Sequence, residues 1–327
     1  MLSKYWTITS KPMWQADPGI FELREEEIQG GCIIKNLYVT LNPSLKPFLF
    51  TNINPGEHLP GDAVGICVKS NRADIQVGDH VVHRTSISEY SKILDDTEYE
   101  HWYKKSWVKV LPHDVDPLLY LTVCGLAGLT AYIGMEDILK LQEGMTVGVS
   151  GASGTSGVLL AQMALKKGCE VIGFTSTQEN ADWLESLGVK SIISENKSIE
   201  ELDRETKHLV PEGFDAYMEH VSNLHLLNGI NNMKLNGRIG LCGLMKSYTS
   251  QIAHGPNLLN VITNNINIKG YVVGRHYKMW DQFQEYILDK YDSFEFKQHI
   301  EHGLDKVPSI YTDLYNSYGK GKLVIKI

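Results

Sequence analysis

The sequence predicts an α/β protein built from two units, a small all-β unit and a doubly wound parallel sheet. Three observations carry that expectation. Up to about residue 115, short apolar runs are separated by turn residues. From Met145 onward, apolar strands alternate with helical stretches. Between the first such strand and its helix lies a glycine-rich turn, Gly151-Ala152-Ser153-Gly154-Thr155-Ser156-Gly157. The length agrees, since 327 residues exceed one compact core and fit about two domains of roughly 100–200 residues.

The all-β unit begins with strand-like Gly31 to Leu41, which Asn42-Pro43 breaks. Ala63 to Lys69 and Asp79 to His83 are further short strands. Asn54-Pro55-Gly56, Pro60-Gly61-Asp62 and Gly78-Asp79 supply the turns between them. The run Glu25-Glu26-Glu27 reads as a solvated turn, and Trp102 and Trp107 read as packing of this unit, with the rim of a hydrophobic substrate cleft as the alternative. Leu118 to Met135 is 18 residues without a charge, at the lower edge of membrane-spanning length. Gly125, Gly128 and Gly134, with Thr122 and Thr130 and no basic flank, point instead to a buried helix.

In the second unit, Met145 to Val149 is a strand and Val158 to Lys167 a helix with apolar residues every three to four positions, stopped by Gly168. Glu170 to Phe174, a helix over Gln178 to Ser186, Ser191 to Ile193 and a helix over Ile199 to Leu209 follow. Phe214 to Met218, Arg238 to Leu241 and Ile266 to Val273 are the remaining strands of this pattern. Lys322 to Ile327 is again strand-like and is expected to return to the first unit. The division is therefore 1–118 with 295–327, and 119–294.

Charge and cysteine usage narrow the function. The net charge is −8, and no Lys/Arg stripe is present to follow a phosphate backbone, which argues against a nucleic-acid partner. Cys32, Cys67, Cys124, Cys169 and Cys242 are scattered, with no C-x-x-C pair for a zinc ribbon. They read as reduced thiols. Met1 to Trp14 lacks the basic start and apolar run of a secretory signal. A cytoplasmic protein with no membrane partner is expected.

The glycine turn follows a strand and opens a helix. That context sets backbone N–H groups and the positive helix end against a pyrophosphate. Missing side chains let the backbone approach the phosphates. A dinucleotide site is the reading, with Ser153, Gly154, Thr155, Ser156 and Gly157 in contact. An NAD site usually has an acid at the end of the next strand, on the ribose 2′-OH. Here that strand ends Phe174-Thr175-Ser176-Thr177, with no acid before Glu179. Hydroxyls do not repel a 2′-phosphate, so NADP(H) is expected, although no Arg or Lys stands in this stretch to pair with it.

At this point several stretches resemble one family. Lys35 to Pro43 (KNLYVTLNP), Gly125 to Tyr132 (GLAGLTAY), Ser150 to Gly157 (SGASGTSG), Gly237 to Gly243 (GRIGLCG) with Tyr248, and Gly321 to Lys326 (GKLVIK) are the matching segments. They resemble zinc-independent medium-chain dehydrogenase/reductases, in the prostaglandin reductase and plant alkenal double-bond reductase branch. The fold this implies is a GroES-like β domain plus a Rossmann domain, usually dimeric. Zinc-dependent relatives carry Gly-His-Glu where this chain has Pro60-Gly61-Asp62-Ala63. No metal is expected, and His58, His80 and His83 read as ordinary histidines.

The resemblance implies hydride transfer from reduced nicotinamide to the β-carbon of an α,β-unsaturated aldehyde or ketone. Charge then develops on the carbonyl oxygen, where a hydrogen-bond donor stabilises it. The plant enzymes place a tyrosine at the spacing of Tyr277, in Gly274-Arg275-His276-Tyr277, so Tyr277 is the expected donor and His276 its rival. Asn42, Thr130, Thr175, Ser176, Asn180, Cys242, Gly243 and Tyr248 complete the cofactor-binding set that the resemblance implies.

Departures from the family pattern are numerous. Ser44 and Lys46 replace its cleft Tyr and Arg, and Asn42 replaces an Asp, which is closer to quinone reductases. Asn180 stands where a lysine usually clamps the 2′-phosphate. Ser194-Glu195-Asn196 replaces N-Y-K, and His220-Val221-Ser222-Asn223 replaces N-V-G-G. Three functions stay open at this point: an enone or enal reductase, a quinone oxidoreductase, and an NADPH-binding protein without turnover.

Overall fold

The computed structural model describes residues 1–11, 17–43, 45, 49, 52–94, 107–246, 255–316 and 321–327. The chain separates into two compact units, Met1–Leu126 with Gln298–Ile327, and Ala127–Lys297. The first crossing lies a few residues beyond 118 because the 3-10 turn Pro117–Leu121 packs on the sheet of the first unit.

In the first unit, β1 (Leu2–Ile8) and β2 (Phe21–Glu27) form an antiparallel pair. Glu25, Glu26 and Glu27 therefore lie in a strand, not in a turn. The register sets Glu25 opposite Lys4, and opposite charges across a pair offset the low strand propensity of glutamate. The other strands are β3 (Cys32–Thr40), β4 (Asp62–Lys69), β5 (His80–Arg84), β6 (Tyr90–Ile93) and β7 (Trp107–Val110). After the second unit the chain adds β14 (Gln298–His302) and β15 (Lys322–Lys326). Among the described residues these form one sheet, ordered β14-β15-β3-β4-β5-β7 with β6 also on β3. Cys32, Ile34, Cys67, Ile75 and Val81 are buried together at its centre. Trp107 is buried in β7, as a packing residue would be; Trp102 lies outside the described residues.

The uncharged stretch Leu118 to Met135 is not one helix. Pro117 opens a 3-10 turn, capped by Asp116, whose side chain accepts from the Leu118 amide. The chain then doubles back, and helix α1 starts only at Leu126 and runs to Ile133. A Cβ at Gly125 would lie 1.7 Å from the Tyr120 carbonyl oxygen, so only glycine permits this reversal. Among the described residues, no helix is long and apolar enough to cross a membrane.

The second unit carries β8 (Thr146–Ser150), β9 (Glu170–Thr175), β10 (Lys190–Ile193), β11 (Phe214–Glu219), β12 (Met233–Leu241) and β13 (Asn267–Gly270). They form a parallel sheet in the order β10-β9-β8-β11-β12-β13. Helices α2 (Thr155–Lys166), α3 (Gln178–Ser186), α4 (Ile199–Leu209) and α5 (Asn223–Asn231) connect them. Further along lie α6 (Leu259–Thr263) and α7 (Trp280–Ile287). Strand β8 is buried along its whole length, and β9 along all but its first residue, as expected where both sheet faces are covered. Phe174, Phe214 and Tyr217 pack their rings together at 5.5–6.4 Å in the core. The order reverses direction between β8 and β11. In an open α/β sheet, that switch point is where a ligand crevice forms at the strand carboxyl ends. The fold is the expected α/β architecture, a GroES-like β domain plus a Rossmann domain.

Candidate active site

The crevice is built first by the glycine turn. Strand β8 ends at Ser150, and α2 begins at Thr155 with Gly154 as its N-cap. Gly154 makes no side-chain cap, so the first-turn amides of α2 are left for a ligand. A Cβ at Gly157 would lie 2.3 Å from the Gly151 carbonyl oxygen. Gly157 thus serves the close packing of the turn on its own helix, and Gly154 is the glycine left facing the helix entrance. The geometry suits a dinucleotide pyrophosphate.

Next to this cradle, β9 ends in hydroxyls. Ser153 Oγ and Thr175 Oγ1 share a buried hydrogen bond of 2.9 Å, and Ser176 follows, half-buried. Thr177 caps α3 by accepting from the Asn180 amide at 3.3 Å. Asn180 is buried in the first turn of that helix. So Ser153, Gly154, Thr155, Ser156, Gly157, Thr175, Ser176 and Asn180 fall along one edge of the crevice.

Across the switch point, β11 and β12 end at another group of predicted residues. The amides of Cys242 and Gly243 donate to the Glu219 carbonyl at 3.0 and 3.3 Å. Burial pushes the Cys242 thiol up to about 11, so it is a neutral packing group at physiological pH. A cleft of about 500 Å³ opens here, lined by Cys242, Gly243, Tyr271, Arg275 and His276 among others. Tyr271 donates to the Thr130 carbonyl at 3.0 Å, which ties α1 to the segment after β13. Tyr277 is half-buried and opens the following 3-10 turn, Tyr277–Met279, directly after His276. Burial lowers the His276 pKa, although Asp137, 3.9 Å away, acts in the opposite sense. Tyr248 lies outside the described residues.

Asn42 belongs to the other unit, where it is part of a polar cluster. Its amide nitrogen donates to Asp62 Oδ2, and its carbonyl accepts from Lys322. Arg84 stands 3.6 Å from Asp62 on the far side. Burial lowers Lys322 to about 8, and the Asp62 carboxylate opposes that shift. Asn42 is therefore fixed from both ends of its amide. The Asp of the family pattern would have set a second carboxylate beside Asp62.

The departures near the strand ends are coupled in space. His220 Nδ1 pairs with the Ser150 carbonyl at 2.8 Å. Ser222 caps α5 and meets His225 Nδ1 at 2.7 Å, while His225 Nε2 meets Ser194 Oγ at 2.9 Å. Ser194 and Ser222 come from two separate replaced motifs, yet one buried imidazole joins them. Burial lowers His220 and His225 to about 4, so both stay neutral near pH 7. Spacing along the chain gave no sign of this link.

No group of three or more His, Cys, Asp or Glu side chains is placed to hold a metal among the described residues. His58 stacks on Tyr5 and pairs with Glu26, and His83 is buried between Asn36 and Thr85.

Comparison with known proteins agrees with this geometry. The family described as "Zinc-binding dehydrogenase" matches residues 157–291, which lie within the nucleotide unit. The tobacco (Nicotiana tabacum) 2-alkenal reductase (NADP(+)-dependent) is 29% identical over 316 residues, covering 94% of this chain and 90% of that protein. Prostaglandin reductase 1 of Bos taurus is 28% identical and covers 99% of both chains. In fold, the chain is similar to the crystal structure of CurA from Vibrio vulnificus in complex with NADPH, with a TM-score of 0.86 and 24% identity over 99% of this chain and 98% of that one. The sheet order, the glycine turn at the switch point and the Pro60-Gly61-Asp62-Ala63 segment leading into β4 are in keeping with these likenesses. Over nearly its whole length the chain is similar to the zinc-independent medium-chain dehydrogenase/reductases of the prostaglandin reductase and alkenal double-bond reductase branch.

Proposed function

We propose that this protein is an NADPH-dependent reductase that transfers hydride to the activated C=C bond of α,β-unsaturated aldehydes or ketones. The observation that carries the proposal is the crevice edge itself: an uncapped helix entrance beside a strand end, Phe174 to Thr177, that is lined by hydroxyls and carries no acid before Glu179. That edge accepts a pyrophosphate and does not repel a 2′-phosphate. Likeness to the tobacco and bovine reductases over most of the chain supports the same reading.

When bound, the reduced nicotinamide supplies the hydride. The rest falls to the protein. Gly154, Thr155, Ser156 and Gly157 hold the pyrophosphate, while Ser153, Thr175, Ser176 and Asn180 line the ribose side. Thr130, Cys242 and Gly243 set the other end. Tyr277 donates a hydrogen bond to the substrate carbonyl oxygen, where negative charge collects as the β-carbon is reduced. A proton from solvent water then adds to the α-carbon and completes the reduction. Of the β unit, Asn42 is the proposed contact, in an orientation fixed by Asp62 and Lys322.

Loss of reduced-nicotinamide absorbance should be measured with an alkenal, an aryl enone and a quinone, with NADPH and NADH in parallel. Turnover of the alkenal or enone with NADPH is the expected result. Quinone turnover alone would replace this reading with a quinone oxidoreductase. Tight NADPH binding with no turnover would leave a nucleotide-binding protein.

The functional state proposed is a homodimer. Strand β13 ends the parallel sheet and pairs only with β12 among the described residues. Leu235 on β12 and Leu258, Leu259 and Ile262 at α6 are exposed, Ile262 to 78%. An apolar face of this kind beside a sheet edge is suited to a second copy. Ile262→Lys should convert a dimer to a monomer in sedimentation velocity. A variant that sediments as the parent does would remove this face from the interface.

A further inference from the structure

Position 180 raises a question that the fold answers. The family's 2′-phosphate lysine is replaced there by Asn180, and no cation lies nearby in sequence. In space, however, a cation has taken its place. Lys297 Nζ donates to Asn180 Oδ1 at 2.9 Å, stands 3.4 Å from Glu179 Oε1, and lies over the Trp183 ring at 4.6 Å from its centroid. All three partners belong to the first turns of α3, at the carboxyl end of β9.

The approach of Lys297 is built, not incidental. Gln162, buried on α2, donates to the Glu295 carbonyl at 2.7 Å and accepts from the Glu295 amide at 2.9 Å. Phe294 is buried, with Lys166 over its ring. Two residues further on, the ammonium is delivered to the start of α3, beside Asn180 and Glu179. Its side chain remains 28% exposed, which leaves it open to a ligand, and its partner Glu179 is 88% exposed.

We propose that Lys297 is the cation that recognises the 2′-phosphate of the dinucleotide, so that NADPH selectivity in this chain comes from the end of the second unit instead of from α3. This rests on the NADPH reading above. Asn180 is the positioning residue: its amide oxygen holds the ammonium at the place a lysine side chain from position 180 would reach. A charge-assisted bond to phosphate corresponds to about 10- to 100-fold in affinity.

The test is calorimetric titration of NADPH and NADH into the full-length chain, Lys297→Met, and the double variant Lys297→Met with Asn180→Lys. Lys297→Met should weaken NADPH about 10- to 100-fold and leave NADH within about threefold. The double variant should recover most of the NADPH affinity. An unchanged NADPH affinity, or an equal loss for both nucleotides, would overturn the proposal, the latter showing Lys297 to be a structural tether. If the parent chain binds NADH but does not favour NADPH, the proposal also fails while the dinucleotide site stands. If the parent binds neither, the cofactor reading itself fails.

Discussion

Gly154→Val is expected to abolish dinucleotide binding in a chain that still folds. Gly154 has φ −76° and ψ 162°, a conformation valine adopts without strain. Its Cβ would meet the Gly151 carbonyl oxygen at 3.2 Å, a tight contact that a small shift relieves. The cost falls on the ligand. Phosphate oxygens must come within about 3 Å of the helix-entrance amides, and an isopropyl group at the N-cap stands in that path. A loss of at least ~100-fold in affinity, or about 2.7 kcal/mol, is expected by titration, with the melting temperature little changed. Parent-like affinity would remove the turn from the binding site. Gly157 differs, since its Cβ would strike the Gly151 backbone at 2.3 Å, and substitution there should cost stability as well.

Tyr277→Phe should lower kcat by about 10- to 1000-fold, the range for one lost oxyanion donor, with a smaller change in KM. The phenol is half-buried at the start of its turn, so removing one oxygen leaves the packing intact. Steady-state kinetics on an enone would decide. Unchanged turnover would end this role for Tyr277 and pass it to His276, which lines the cleft and whose pKa burial lowers. His276→Gln would then show the loss.

Much of the fold was legible because it rests on local signals. The helix over Gln178–Ser186 and the helix over Ile199–Leu209 match their expected bounds. Ser198 and Glu201 form a capping box on α4, and Thr177 caps α3, so both starts are written in adjacent residues. The glycine turn was legible for the same reason. What escaped was non-local. The uncharged stretch from Leu118 looked like one helix, because apolar composition does not show a reversal that depends on the Tyr120 carbonyl meeting Gly125. The acidic run Glu25–Glu27 looked like a turn, because its charge is answered by Lys4 on a paired strand.

The candidate site followed the same rule. Residues of the glycine turn and of the end of β9 could be named from spacing. Arg275, in the cleft lining, carried no motif. The Ser222–His225–Ser194 link joins residues 28 to 31 positions apart, counted from Ser194. Lys297 reaches Asn180 across a separation of 117 residues. A reading limited to neighbours in sequence finds a missing charge at position 180, whereas the folded chain supplies it.

The placement of β15 has a consequence for biosynthesis. This last strand lies inside its sheet, between β14 and β3, and not at an edge. Trp6 and Thr40 also donate to the carbonyls of Leu304 and Leu323, near the other end of the chain. On the ribosome, the nucleotide unit is a continuous stretch and emerges whole, while the β sheet waits for β14 and β15, which are translated after it. Until β15 is translated, β3 lacks one neighbour and offers an open hydrogen-bonding edge to other nascent chains. Assembly of the two units is thus ordered by translation, with the inserted one completed before the one that encloses it in sequence.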